Sequence, residues 1–147
     1  MKQLFDEAMS VAKNYDVSTP ENALVLYSIS FLPTKENKER AINFVNEHFG
    51  KVTIDNTICG KKLIEMGLIN SDCGLTAEEM AEIWGITSAR MIQNASGEIT
   101  AFVENADPRS VFCRVELPNI LKNPQITNVN GEDKYIFAKR FSIQLNA

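Results

Sequence analysis

Residues 23–54 read ALVLYSISFLPTKENKERAINFVNEHFGKVTI, and this stretch decides the fold class. Ala23–Phe31 is a near-continuous apolar run of strand length, the pattern of a strand buried on both faces. Pro33 closes it. From Glu36 to Phe49, Ala41, Phe44, Val45 and His48 recur at helical spacing, and Gly50 supplies the stop. Lys51–Ile54 then predicts a short second strand. A strand–helix–strand order predicts a parallel sheet.

The pattern extends both ways. Upstream, Leu4, Phe5, Ala8, Met9 and Ala12 share one face of a helix over residues 2–15, broken by Ser18, Thr19 and Pro20. Downstream, a short helix is predicted from about Cys59 to Met66, ending at Gly67. Thr76-Ala-Glu-Glu79 is a capping box, in which hydroxyl and carboxylate satisfy orphan N–H groups. It opens a helix with Met80, Ile83, Trp84, Thr87, Met91 and Ala95 on one stripe, stopped by Gly97. Strands are expected at Glu98–Val103, Ser110–Leu117, Gln125–Val129 and Tyr135–Ala138, with Asn130-Gly131 as a hairpin turn between the last two. The expectation is one compact α/β domain over residues 1–147. An N-terminal helix and linker occupy 1–22, and a core on a small, mostly parallel sheet occupies 23–147.

Composition limits the chemistry. The chain has 147 residues, 15 basic and 19 acidic, and its net charge of −4 argues against nucleic acid as the main partner. Ser28 and Ser30 interrupt the most apolar run, which falls short of the ~20 residues a membrane helix needs. The N-terminus lacks the charged-then-apolar order of a signal peptide. Three cysteines without a CxxC pair suit a reducing compartment, although a single Cys59–Cys73 bridge stays open. One histidine and no paired thiols argue against a zinc site, and His48 suits a helix end. The nucleophile-elbow, P-loop and dinucleotide fingerprints are absent, so no cofactor is expected. Catalysis would fall to carboxylates, hydroxyls and aromatics.

Four places carry such groups. Tyr27 and Ser28 stand at the C-terminal end of the first strand, where parallel sheets place their crevice. Asp55 follows the second strand, suited to a ligand or to a helix cap. Trp84 shares a helix face with Ser88, as a core aromatic or a stacking platform. Glu116 ends VFCRVEL, as a site carboxylate or a solvated edge charge, and strand alternation would put Arg114 on its face.

The order Leu26-Tyr27-Ser28, Thr53-Ile54-Asp55-Asn56-Thr57-Ile58-Cys59-Gly60, Trp84 with Ser88 and Arg90, and Phe112-Cys113-Arg114-Val115-Glu116 resembles the ADP-ribosyl cyclases, or NAD glycohydrolases, over about residues 23–131. It is also similar to the compact NAD-degrading domains of bacterial polymorphic toxins. The resemblance implies that NAD⁺ or NADP⁺ is the substrate, cleaved to nicotinamide and linear or cyclic ADP-ribose. Glu116 matches the glutamate that stabilises or traps the ribosyl cation, and Trp84 the tryptophan that stacks on nicotinamide. Tyr27 replaces a second tryptophan, and Asp55 replaces a glutamate that holds the carboxamide. Ser28 and Ser88 match polar residues around ribose and phosphates, Phe112 joins the substrate-binding set, and Arg90, Arg109 and Arg114 are candidates for the pyrophosphate. The resemblance further implies a toxin or effector acting in a reducing cytoplasm after delivery, with a cognate immunity protein as partner. Two other classes compete: a toxin-type ribonuclease, and a non-enzymatic immunity or adaptor module.

Overall fold

The computed structural model describes residues 2–27, 36–68, 73–103 and 111–139. Helix α1 (Lys2–Asn14) buries Ala8, Val11 and Ala12 against α3 (Ile58–Glu65) and α4 (Ala77–Asn94). Strand β1 (Val25–Tyr27) lies inside the predicted apolar run, of which residues 28–31 fall outside the described residues. Helix α2 (Glu36–Glu47) follows, and Gly50 takes the left-handed turn beyond it at φ 88°. β2 (Gly97–Phe102), β3 (Ile126–Val129) and β4 (Glu132–Asp133) complete a four-stranded sheet in the order β1-β2-β3-β4. The first two pairings are parallel and the last is antiparallel. The mixed α/β class and the mostly parallel sheet agree with the sequence. Among the described residues, no helix is long and apolar enough to cross a membrane.

Three expected strands are different. Lys51–Ile54 contributes one bridge, Val52 to Leu24, because the chain turns at once into a 3-10 helix over Ile54–Asn56. Thr53 caps that turn, and the Asn56 side chain returns a bond to the Thr53 N–H at 2.8 Å. The run VFCRVEL is helical: residues Phe112–Glu116 wind as a π-helix that continues into α5 (Leu117–Lys122). Phe112, Glu116 and Ile120 are buried, as are Cys113 and Leu117, which is i,i+4 spacing on one helix face. Pro118 cannot donate an α-type bond, and the turn before it closes with the wider bond from the Leu117 N–H to the Phe112 carbonyl. The alternation that would pair Arg114 with Glu116 is therefore lost.

The third correction concerns the hairpin. Asn130 and Gly131 form its turn with φ of 53° and 79°, but the returning strand is Glu132–Asp133. Residues 134–139 are helical. Asp133 starts them by accepting from the Tyr135 N–H at 2.9 Å, and Lys134, Phe137 and Ala138 are buried at helical spacing.

One apolar core joins α1, α3, α4, the sheet and α5. Two polar side chains tie its borders together. Lys134, only 6% exposed, donates to the Asn123 carbonyl at 2.7 Å and the Ile120 carbonyl at 3.3 Å, closing the end of α5. The Asn130 amide exchanges two bonds with the Ala101 backbone, at 2.8 and 2.9 Å, prolonging the ladder of β2 past the turn. All three cysteines are free, and Cys59 donates to the Val11 carbonyl, so the open Cys59–Cys73 pairing is not made. His48 sits at the end of α2, its ring stacked on Phe44 at 3.9 Å.

Candidate active site

The segment between β1 and α3 is built to present one side chain. Thr57 caps α3 by accepting from the Gly60 N–H at 2.9 Å, and its hydroxyl donates to the Ile54 carbonyl at 2.7 Å. A Cβ on Gly60 would stand 1.9 Å from that carbonyl oxygen, so the turn closes only over glycine. Thr53, Asn56, Thr57 and Gly60 thus form the frame, and Asp55 is left facing the cleft. Its carboxylate accepts from the Tyr27 hydroxyl at 3.0 Å. Burial first, and then the negative charge of Asp55, hold the Tyr27 phenol well above its ordinary range, so it stays a donor.

The opposite wall is α4 and the π-helix. Trp84 is half-buried, and its indole N–H donates to the Leu68 carbonyl at 3.1 Å, which fixes the ring plane. Ser88 follows one turn later on the same face. At Gly85 the π-helix packs close to α4, where even a Cβ would sit at an ordinary contact distance of 3.7 Å from Val115. That approach brings Phe112 and Glu116 against α4. Glu116 is only 5% exposed. Burial pushes its carboxyl up from the ordinary 4.5 to about 7, opposed by the Ser88 hydroxyl, which favours the charged form.

Tyr27, Asp55, Trp84, Ser88, Phe112 and Glu116 therefore line one cleft of about 420 Å³, within the range of small-molecule sites. Ser28 and Arg109 lie outside the described residues. The two arginines do not join the cleft. Arg90 sits about 240° around α4 from Trp84, whereas Ser88 sits about 40° away. Its guanidinium donates to the Ala12 carbonyl at 2.6 Å and the Tyr15 carbonyl at 2.9 Å, holding the end of α1. Arg114 is exposed on the π-helix and is not part of the lining. Sequence reasoning missed Lys38, which lines the cleft from α2 with its ammonium 5.9 Å from the Tyr27 ring centre. It stands in ENKER, a charge run that looks like any solvated helix face. Met80, Leu68 and Val111 supply apolar lining.

A carboxylate sunk in an apolar wall, facing aromatic rings, suits a ligand that develops positive charge. Comparisons bear on which. No protein-family model matches the chain, and no curated protein matches it in sequence. Solved structures do. An ADP ribosyl cyclase complexed with N1-cIDPR is similar at TM-score 0.59 and 15% identity, covering 99% of this chain and 75% of that one. An Aplysia cyclase complexed with substrate NGD and product cGDPR is similar at TM-score 0.57 and 17% identity, over 97% and 74%. Porcine CD38 with a covalent intermediate, ribo-F-ribose-5'-phosphate, is similar at TM-score 0.53 and 16% identity, over 97% and 80%. The chain therefore has the fold of the ADP-ribosyl cyclases.

Proposed function

We propose that the chain cleaves the bond between nicotinamide and ribose in NAD⁺ or NADP⁺. The supporting observation is the convergence of Tyr27, Asp55, Trp84, Ser88 and Glu116, from four separate segments, on one cleft. In the substrate the ring nitrogen is already positive. When the bond from C1′ to that nitrogen breaks, its electron pair passes to nitrogen and nicotinamide leaves neutral. No general acid is needed, unlike hydrolysis of an O-glycoside. Positive charge then develops on the ribose, and the attraction of Glu116 for it grows along the reaction, which is the condition for catalysis. Glu116 acts as an ion-pair partner or as a nucleophile forming an ester at C1′. Water adds at C1′ to give ADP-ribose and one proton; attack by the adenine instead gives the cyclic product.

Trp84 and Tyr27 supply aromatic faces for the pyridinium, each worth about 1 kcal/mol. Asp55, with one oxygen taken by Tyr27, keeps the other for the carboxamide N–H. On the same terms, the setting is that of a toxin domain acting in a reducing cytoplasm and held off in its producer by an immunity protein that plugs the cleft. The free cysteines and the open cleft support that setting.

Incubation with NAD⁺ and NADP⁺, followed by chromatography of nicotinamide and ADP-ribose, tests the reading. Glu116→Gln keeps the shape and removes the charge. Release by the wild type and its loss in the variant is the expected result. A folded wild type that leaves NAD⁺, NADP⁺ and nicotinamide mononucleotide intact rejects it.

A further inference from the structure

We propose that Lys38 binds the phosphate portion of the substrate and sets the preference of the cleft for a phosphorylated nucleotide over a bare nucleoside. The inference rests on the NAD-cleaving reading and assigns the anion contact within it. Helix α2 lies outside the segments that carried the resemblance, so nothing about Lys38 transfers from it.

Three observations converge on this residue. The first is elimination among the described residues. Arg90 donates to the backbone at the end of α1, Arg114 is not part of the lining, and Lys38 is the cation in it. The second is electrostatic. Asp55 and Glu116 make the lining anionic, which favours a pyridinium and opposes phosphate oxygens. A phosphate enters such a cleft only beside a compensating cation. Lys38 and Asp55 are partly exposed while Glu116 is 5% exposed, so the cation stands nearer the mouth than the buried carboxylate. The substrate carries the same polarity, with a cationic ring at one end and the anionic linkage at the other.

The third observation is size. A cleft of about 420 Å³ takes nicotinamide and its ribose at its buried carboxylate end, with the rest of a dinucleotide extending toward the mouth. The phosphates therefore fall at the rim, within reach of a lysine whose contact to the Tyr27 ring, at 5.9 Å, is loose. A flexible ammonium acts there as a mobile point charge, a role lysine fills where bidentate geometry is not required.

The test is a substrate ladder. Nicotinamide release from NAD⁺, nicotinamide mononucleotide and nicotinamide riboside is measured for wild type, Lys38→Met and Lys38→Arg. Lys38→Met should raise KM for NAD⁺ about tenfold or more with little change in kcat, the signature of lost uniform binding. The loss should shrink as phosphates are removed, and Lys38→Arg should restore most of it. Equal losses on all three substrates, or none, would overturn the proposal. Calorimetry with ADP-ribose gives a readout that needs no turnover. Weaker ADP-ribose binding by Lys38→Met in a protein that releases no nicotinamide sustains Lys38 and removes NAD cleavage. Equal ADP-ribose affinity in an active enzyme does the reverse, and no ADP-ribose binding by an inactive wild type removes both.

Discussion

The two walls of the cleft hold one carboxylate each and treat them in opposite ways. Asp55 stands on a turn framed by two threonine caps, and a phenol donates to it at 3.0 Å. Glu116 stands on a π-helix inside the apolar core, and burial drives its carboxyl up to about 7. A hydrogen-bonded carboxylate is settled before a ligand arrives and suits orientation. A desolvated one gains most when a positive charge appears next to it, because the low-dielectric surroundings strengthen that attraction. On the proposed reading, the difference gives positioning to the first wall and chemistry to the second.

The largest expected effect breaks the chemical wall. Glu116→Gln should lower kcat for nicotinamide release by about a thousandfold or more, the scale of losing a preorganised electrostatic partner. In the wild type, Glu116 must be charged to act. Since burial sets its carboxyl near 7, kcat/KM should fall on the acid side of about pH 7 and level off above it. Tyr27, Asp55, Ser88 and Lys38 share its cleft, and a flat profile from pH 5 to 8 would show that some other group controls the rate. Trp84→Ala comes next, with kcat/KM down roughly a hundredfold through lost stacking and a loosened Leu68 contact. Trp84→Phe should recover part of it.

The same carboxyl predicts a stability effect. Its folded value of about 7 lies above its ordinary 4.5, so between those limits the folded state holds more proton than the unfolded chain. Stability contributed by the protonated form is full below about 4.5 and is lost as pH rises through about 7. Glutamine does not titrate. Urea unfolding should therefore show the Gln variant gaining on the wild type from pH 5 to pH 8 by up to about 3 kcal/mol. An unchanged difference across that window would mean that Glu116 is better solvated than its burial indicates. The smallest effect sharpens the positioning wall. Tyr27→Phe keeps the ring and removes the bond to Asp55, with an expected loss of about 1 kcal/mol, or several-fold in kcat/KM.

Much of this was legible in the residues, for physical reasons that differ along the chain. The Thr76 capping box fixed the start of α4 and Gly67 the end of α3, because caps and left-handed turns are local chemistry, whereas α4 ends on an extended Ala95 and Gly97 opens β2. The apolar run at residues 23–27 announced a parallel strand because burial on both faces leaves no alternation. The misreading of VFCRVEL came from its length. A short apolar run fits strand and helix alike, and Val111 and Val115 tilted it toward strand. The helical signal was the i,i+4 series Phe112, Glu116 and Ile120, visible only when read through Pro118. Asp133 as an N-cap similarly marked the helix over 134–139. The motif around Asp55 combined two jobs, since most of its residues build the turn. Arg90 was misjudged because its partners, the Ala12 and Tyr15 carbonyls, lie more than seventy positions away. Lys38 carried no signal at all, because its place in the cleft depends on where α2 docks.

The parallel pairing of β1 with β2 carries a kinetic consequence. Val25 meets Thr100, and among the described residues three α-helices and a 3-10 turn lie in the chain between them. Contacts at such separation form late, after a large loop has been closed at an entropic cost. The hairpin of β3 and β4 is local and can form early, but it holds no cleft residue. Tyr27, Asp55, Trp84 and Glu116 thus come together only as β1 docks. Regain of ligand binding during refolding should coincide with the slow global phase, so that no partly folded chain is active.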